Sequence, residues 1–403
     1  MSFTKIFLAI LLGGLVFIGW RYYCSESTTS KAQAILEVVG LEPHTGITAD
    51  QSITVKIRAQ EMVESVDVKL DQKSIFRKDS PKKYFDIPLT LSIKDLSQGE
   101  HILLVKLTRA EIYVEPVELS VRFHVDKLPL QGTITKNQLD ARIYQGRTLH
   151  IEFQTNKEIK EAALKTLSQS YPCYLQSQRG MIYECFVPIE CEEVAQGYPY
   201  TIDIVDWAGN TLQLEGSFTV VAFPFKKQML KVDKAKIEAE DKVGLPEKQL
   251  EEELVKLIAE SPKKKLWQGK FIMPLDYKES SQITSDFGVI RATQERGLSQ
   301  HKALDLISQP RAVVWAPQDG KIVIKARYAH SGNTIVIDHG YGLLSLYYHL
   351  DQFAPVEVGD LIKKGKPLGT VGKTGYATGY HLHWEMRVNG VAIEPLEWTQ
   401  ANF

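Results

Sequence analysis

The chain has 403 residues, a formal net charge of −1 and 44% hydrophobic residues, a length that exceeds one ordinary domain and predicts two to four. The hydrophobic fraction is ordinary for globular domains, and the balanced charge lacks the basic face of a nucleic-acid binder, so no nucleic-acid partner is expected.

At the N-terminus Lys5 precedes an apolar run over 6–20 that is closed by Arg21, Tyr22 and Tyr23. Phe3 before the run and the aromatic belt after it extend the stretch to about 20 residues, the length of a bilayer span. The pattern predicts a retained signal anchor over 1–23. A cleaved signal peptide is the competing reading, because Ser25 and Ser27 have the separation of a cleavage site. Arg21 and the tyrosines, however, stand between them and the apolar run.

Residues 34–126 contain short alternating runs, S-I-T-V-K-I-R at 52–58, H-I-L-L-V-K-L at 101–107 and V-E-L-S-V-R-F-H-V at 117–125, separated by turn signals. The same style recurs over 130–222, and Q-G-E-H-I-L-L-V-K-L near 98 echoes Q-G-Y-P-Y-T-I-D-I-V near 196. The expectation is a mainly β protein with two tandem immunoglobulin-like β-sandwiches, the second carrying a D-W-A-G-N turn at 206–210; because the repeat is weak in identity, a single larger β-domain is the alternative. Cys24 adjoins the apolar run, whereas Cys173, Cys185 and Cys191 fall in the second sandwich. A hairpin around Gln178, Arg179 and Gly180, with Ser177 opposite Met181, sets Cys173 opposite Cys185, near enough in favourable cases for a disulfide. Three reduced, buried cysteines are the alternative.

Over 223–265 the composition shifts toward Lys, Glu and Leu. Pro246 suits a first helical position, and Leu250, Leu254, Leu257 and Ile258 mark one face of a connector helix. The charges around them read as a solvated face.

The region 266–403 holds six of the ten histidines, at 301, 330, 339, 349, 381 and 383. His301 and Asp305 stand in H-x-x-x-D spacing, and His381 and His383 in H-x-H spacing. On a strand, residues two apart share a face, so His381 and His383 look one way while Leu382 and Trp384 look the other. If a further strand begins at 304–306, Asp305 joins His301 on a common side. Imidazole nitrogens and a carboxylate are the donors that zinc takes, with three protein ligands and one open position in catalytic sites. His44, His101, His124, His150 and His330 read as surface or satisfied core residues, and His339, in a D-H-G turn, reads as structural.

The motifs of 261–398 resemble those of the lysostaphin/LytM-type zinc metallopeptidases, which cut peptide bonds in the stems and cross-links of bacterial peptidoglycan. They run in order as T-S-D-F-G at 284–288, H-K-A-L-D at 301–305, A-P-Q-D-G-K-I-V at 316–323 and G-N-T-I-V-I-D-H-G at 332–340. Y-Y-H-L at 347–350, V-G-D-L-I-K-K-G at 358–365 and T-G-Y-H-L-H-W-E at 378–385 complete the set. The resemblance implies a glycine-punctuated, mostly antiparallel β-domain over 266–403 with one zinc in a groove. It implies His301, Asp305 and His383 as zinc ligands and His349 and His381 as the catalytic pair. It further implies peptidoglycan as substrate, with the bulk of the chain outside the cytoplasmic membrane, in the periplasm or facing the wall, and the sandwiches free to meet protein partners. Two positions depart from the family pattern: Ala303 stands where glycine is usual, and Arg311-Ala312-Val313-Val314 replaces a Gly-Thr-Pro-Val run. Some relatives lack ligands and only activate other wall hydrolases, which leaves a non-catalytic binding module as the second reading. Here every ligand position is filled.

Overall fold

The computed structural model describes residues 34–109, 117–137, 141–229, 234–276, 282–293 and 297–403. The expected anchor over 1–23 and Cys24 lie outside the described residues. Among the described residues no helix is long and apolar enough to cross a membrane. Strand accounts for 56% and helix for 9% of the described residues, which are mainly β. Two compact units divide it, one of the described residues up to Pro129 with Val205–Asn210, the other of Leu130–Ile204 with Thr211–Phe403.

The first unit departs from the expected pair of sheets. Its described strands form one six-stranded sheet, dominated by a hairpin of two long strands, Gln51–Leu70 and Lys73–Leu91. The two-residue turn at Asp71 and Gln72 takes φ of 49° and 71°, the left-handed pair that matches strand twist. Register shifts between Arg58 and Val63 and between Val63 and Ser65 interrupt the hairpin. Ala34–Val39 pairs with the strand before this break and Gly99–Arg109 with the strand after it. Alternation still selects the core: Ile53, Val55 and Ile57 are buried with Val66, Val68, Leu103 and Val105.

In the second unit, residues 132–204 and 211–221 form a five-stranded and a four-stranded sheet that enclose one core, including Ile151, Phe153, Leu164, Val187, Ile202 and Phe218. The cysteine hairpin forms with Tyr174 opposite Glu184 and Leu175 opposite Tyr183, but a register shift pairs Ser177 with Ile182 rather than with Met181. Cys173, Cys185 and Cys191 are all free thiols, so the expected bridge is not made. Cys185 points into the core, its Sγ 3.9 Å from the Tyr171 carbonyl.

The C-terminal region is built on a ten-stranded sheet. At its centre Leu382–Val388 lies between Leu304–Ile307 and Leu343–Phe353, antiparallel to both. One face of these strands carries Leu382, Trp384, Met386 and Tyr347, which pack with Trp267, Trp398 and Phe186. The opposite face carries Leu344, Leu346 and Tyr348 and is covered by Leu250 and Leu254. These two leucines belong to α2, Glu247–Glu260, which follows α1, Lys234–Glu240; α3 is Pro395–Gln400. Pro246 is the residue before α2 rather than its first. Each buried leucine contributes roughly 1.5–3 kcal/mol of transfer free energy. The charged positions Lys248, Glu251, Glu252, Lys256 and Glu260 of α2 are exposed, as expected of a solvated face, but three of its carboxylates also bind the rest of the fold: Glu251 holds Arg387, Glu253 accepts from the Tyr328 hydroxyl, and Glu247 accepts from the His330 and Ser331 amides.

Candidate metal centre

Strand pairing brings the ligand candidates together. Asp305 lies directly opposite His383 across the Leu304–Ile307 and Leu382–Val388 ladder, and His301 enters from the segment just before the first of these strands. His301 Nε2 is 3.1 Å from Asp305 Oδ1 and 3.3 Å from His383 Nδ1, and His383 Nδ1 is 3.0 Å from the same Oδ1. Donors about 2.0–2.1 Å from a tetrahedral zinc lie roughly 3.3 Å apart, so this triangle has the size and chemistry of a zinc face. Among the described residues it is the one cluster of three or more His, Cys, Asp or Glu groups with the geometry to hold a metal ion.

The outward nitrogens fix each ring. His301 Nδ1 donates toward the Asp286 carbonyl at 3.2 Å, with the Ser285 hydroxyl at 3.1 Å, leaving Nε2 for a metal. Behind His383, Nε2 faces Glu385 Oε2 at 3.9 Å. Asp305 turns Oδ2 to Arg291 Nη2 at 2.8 Å, which frees Oδ1. Burial acts to raise the Asp305 carboxyl, yet the bonds from His301 and His383 outweigh it and hold it well below the usual carboxylate range. Burial lowers His301. The same burial acts on His383, but Asp305 and Glu385 overcome it and raise this ring to about 9. A cation entering the site must displace that proton, so its affinity weakens as pH falls below about 9.

His349 and His381 stand beside the triangle, their ring centroids 4.7 Å apart. His381 Nδ1 donates to the Gly379 carbonyl at 3.0 Å, and its Nε2 is 3.8 Å from Asp305 Oδ1. His349 Nδ1 donates to the Thr374 carbonyl at 2.9 Å. Burial lowers both pKa values, so each is neutral near pH 7 with Nε2 as its basic nitrogen. His349 has a φ of 62°. Simple alternation would send Tyr348 and His349 to opposite faces, but this left-handed residue breaks it. Tyr348 stacks on His383, centroids 5.0 Å apart at 8°, while the His349 ring still reaches His381. The Thr374 carbonyl is set by a crossing of two glycines: a Cβ on Gly332 would lie 2.5 Å from Thr374 backbone atoms, and one on Gly375 would lie 2.4 Å from Gly332 N.

A cleft of about 510 Å³ opens beside the triangle, lined among others by Glu190, Glu251, Arg291, Lys302, His301 and His383. Ala303 is wholly buried and is not among the residues lining this cleft. Arg311, at a φ of 63°, pairs with Asp351 at 3.0 Å. His339 is structural: fully buried, it donates from Nδ1 to the Asp319 carbonyl at 2.7 Å and meets Ser345 Oγ at 2.7 Å through Nε2. Burial depresses it to about 4. Arg291, Glu385, Arg387 and Tyr348 were not picked out from the sequence. Of these Glu385 was within reach, since it sits two residues past His383 and so shares its face.

Residues 299–395 match the model of Peptidase family M23. Over 141 residues the chain is 35% identical to the DD-carboxypeptidase/endopeptidase Mpg of Neisseria meningitidis, covering 33% of this chain and 32% of that protein. Over 123 residues it is 32% identical to the peptidoglycan DD-endopeptidase ShyC of Vibrio cholerae, covering 30% and 28%. A solved structure of a zinc containing peptidase from Vibrio cholerae is 17% identical with a TM-score of 0.32, over 76% of this chain and 82% of that one. The chain spans about a third of the length of the curated relatives it matches.

Proposed function

With a Peptidase family M23 domain at residues 299–395 as the premise, we propose that this protein is a zinc metalloendopeptidase that hydrolyses peptide bonds in the stem peptides or cross-links of peptidoglycan. One zinc per chain is held by His301 Nε2, Asp305 Oδ1 and His383 Nδ1, and the observation that carries the reading is their 3.0–3.3 Å triangle. Zinc, when bound, supplies Lewis acidity toward a scissile carbonyl and toward water. The neutral Nε2 atoms of His349 and His381 stand ready to take a proton from the attacking water, return it to the leaving amine, or donate to the developing oxyanion. Arg291 fixes the Asp305 carboxylate through Oδ2. The name of the Vibrio cholerae relative, a peptidoglycan DD-endopeptidase, supports peptidoglycan as the substrate, and the apolar N-terminal run supports a single-pass anchor in the cytoplasmic membrane with the enzyme facing the wall.

The test is digestion of purified peptidoglycan by the full chain, with mass spectrometry of the released fragments. Cleaved cross-links that disappear on chelation and return with zinc are expected. A zinc-loaded chain that releases nothing, yet raises the output of another wall hydrolase, would establish the non-catalytic reading instead.

A further inference from the structure

Helix α2 precedes the M23-matched residues, yet it covers the sheet face that carries His383. Its Leu250 and Leu254 seat it there, and its carboxylates connect to the metal centre. Glu251 accepts two hydrogen bonds from Arg387, from Nη1 at 2.7 Å and from Nη2 at 2.9 Å. Arg387 Nε donates to Glu385 Oε1 at 2.5 Å. The other oxygen of Glu385 faces His383 Nε2 at 3.9 Å. Arg387 and Glu385 are shielded, with side-chain exposures of 15% and 6%, whereas Glu251 is 55% exposed.

We infer that Glu251 of α2 is a positioning residue for the metal centre, acting through Arg387 and Glu385 on the ligand His383. This rests on the zinc reading of the site. The 3.9 Å gap is too long for a hydrogen bond, so Glu385 acts on the ring mainly through its charge. A carboxylate behind a ligating imidazole strengthens the opposite nitrogen as a donor. A guanidinium turned fully onto Glu385 would cancel that charge. Glu251 draws the guanidinium toward the helix by accepting from both Nη atoms, in the fork geometry that arginine offers a carboxylate, so that only Nε meets Glu385. Without the Glu251 charge, Arg387 is free to close on Glu385 with a second donor, and His383 Nδ1 weakens as a ligand. One turn earlier, Glu247 accepts from the amides of His330 and Ser331 at 3.0 and 3.2 Å. The Ser331 carbonyl in turn accepts from His349 N at 2.8 Å. The helix thus reaches both halves of the site.

The experiment measures zinc dissociation constants of the full chain by competition with a chromophoric chelator, for the unaltered protein, Glu251→Gln, Glu385→Gln, the double variant, and Glu252→Gln. Glu252 lies on the same helix and pairs only with Lys248 among the described ion pairs. Expected are a loss of about 10- to 100-fold for Glu385→Gln, the range of direct outer partners of metal ligands, and a smaller one of about three- to tenfold for Glu251→Gln, which acts from further out. The double variant should lose no more than Glu385→Gln alone, a non-additivity that a merely structural role would not produce. Unchanged affinity in Glu251→Gln, an equal loss in Glu252→Gln, or additive losses would each overturn the inference. An unaltered chain that takes up no zinc would instead overturn the metal-centre reading on which it rests.

Discussion

Two buried clusters of similar composition contrast within the second unit. In one, Glu184 is fully buried and meets His150 Nε2 at 3.0 Å, Lys265 Nζ at 3.2 Å and Gln176 Nε2 at 3.1 Å. His150 receives Lys136 Nζ on its other nitrogen at 2.8 Å and stacks on Phe186 at 4.6 Å. Every strong donor there has an acceptor, and the cluster is closed. In the other, His301, Asp305 and His383 turn one atom each toward a shared point, and their outward atoms are held by Asp286, Arg291 and Glu385. Burial of charge is common to both. Convergence of lone pairs is what distinguishes a site from a structural network.

Four expectations sharpen that contrast. The largest concerns the convergent cluster: His301→Ala, Asp305→Ala or His383→Ala should each lose stoichiometric zinc and bring wall hydrolysis to the no-enzyme level, measured by metal analysis and fragment release. Next, His349→Ala and His381→Ala should keep near-stoichiometric zinc while turnover falls by about two to four orders of magnitude. The closed cluster should behave in the opposite sense. Glu184→Ala strands His150 and Lys265, so chemical denaturation should show a loss of about 3–5 kcal/mol with zinc content of the folded protein unchanged; loss of metal there would erase the distinction.

The smallest effect compares Glu184 with a second carboxylate, Glu397, whose Oε2 accepts from Thr148 N at 2.9 Å. For Glu184, burial is outweighed by His150 and Lys265, and the pKa is lowered. For Glu397 burial prevails and pushes the pKa to about 7. A raised folded-state pKa means that protonated Glu397 stabilises the fold fully below the unfolded value near 4.3, and that this contribution is lost as pH rises to about 7. Stability contributed by Glu184 runs the other way, present above the unfolded value and lost as pH falls through its lowered pKa. Melting curves across pH 4.5–7.5 should show Glu397→Gln removing a decline of roughly 3 kcal/mol. An unchanged pH profile in that variant would assign the decline elsewhere.

Much of the site was legible because strand alternation is a local rule. His381 and His383 share a face, with Leu382 and Trp384 on the other, and Asp305 meets His383 through a strand that the sequence placed at 304–306. What escaped depends on partners distant in sequence or on backbone irregularity. Tyr348 and His349 reach the same centre because His349 is left-handed, which alternation cannot reveal. The partners of Glu247, Glu251 and Glu253 on α2 escaped because the groups that donate to them, the 330–331 amides, Arg387 and the Tyr328 hydroxyl, lie 75 or more residues away. In the first unit, the charged stretch Lys78 to Lys83 obscured the long strand Lys73–Leu91 that runs through it, so the continuous six-stranded pairing was not foreseen. The cysteine hairpin gave the expected opposition of Tyr174 and Glu184, but register alone does not decide whether two neighbouring thiols are bonded.

The most direct measurement is zinc stoichiometry, by equilibrium dialysis of the full chain, in His383→Ala and His381→Ala side by side. These residues sit two apart in the H-x-H motif and are proposed to have different roles: His383 Nδ1 lies 3.0 Å from Asp305 Oδ1 and His381 Nε2 lies 3.8 Å from it. The account predicts an empty site in His383→Ala and about one zinc per chain in His381→Ala. A full site in His383→Ala with an empty one in His381→Ala would contradict it.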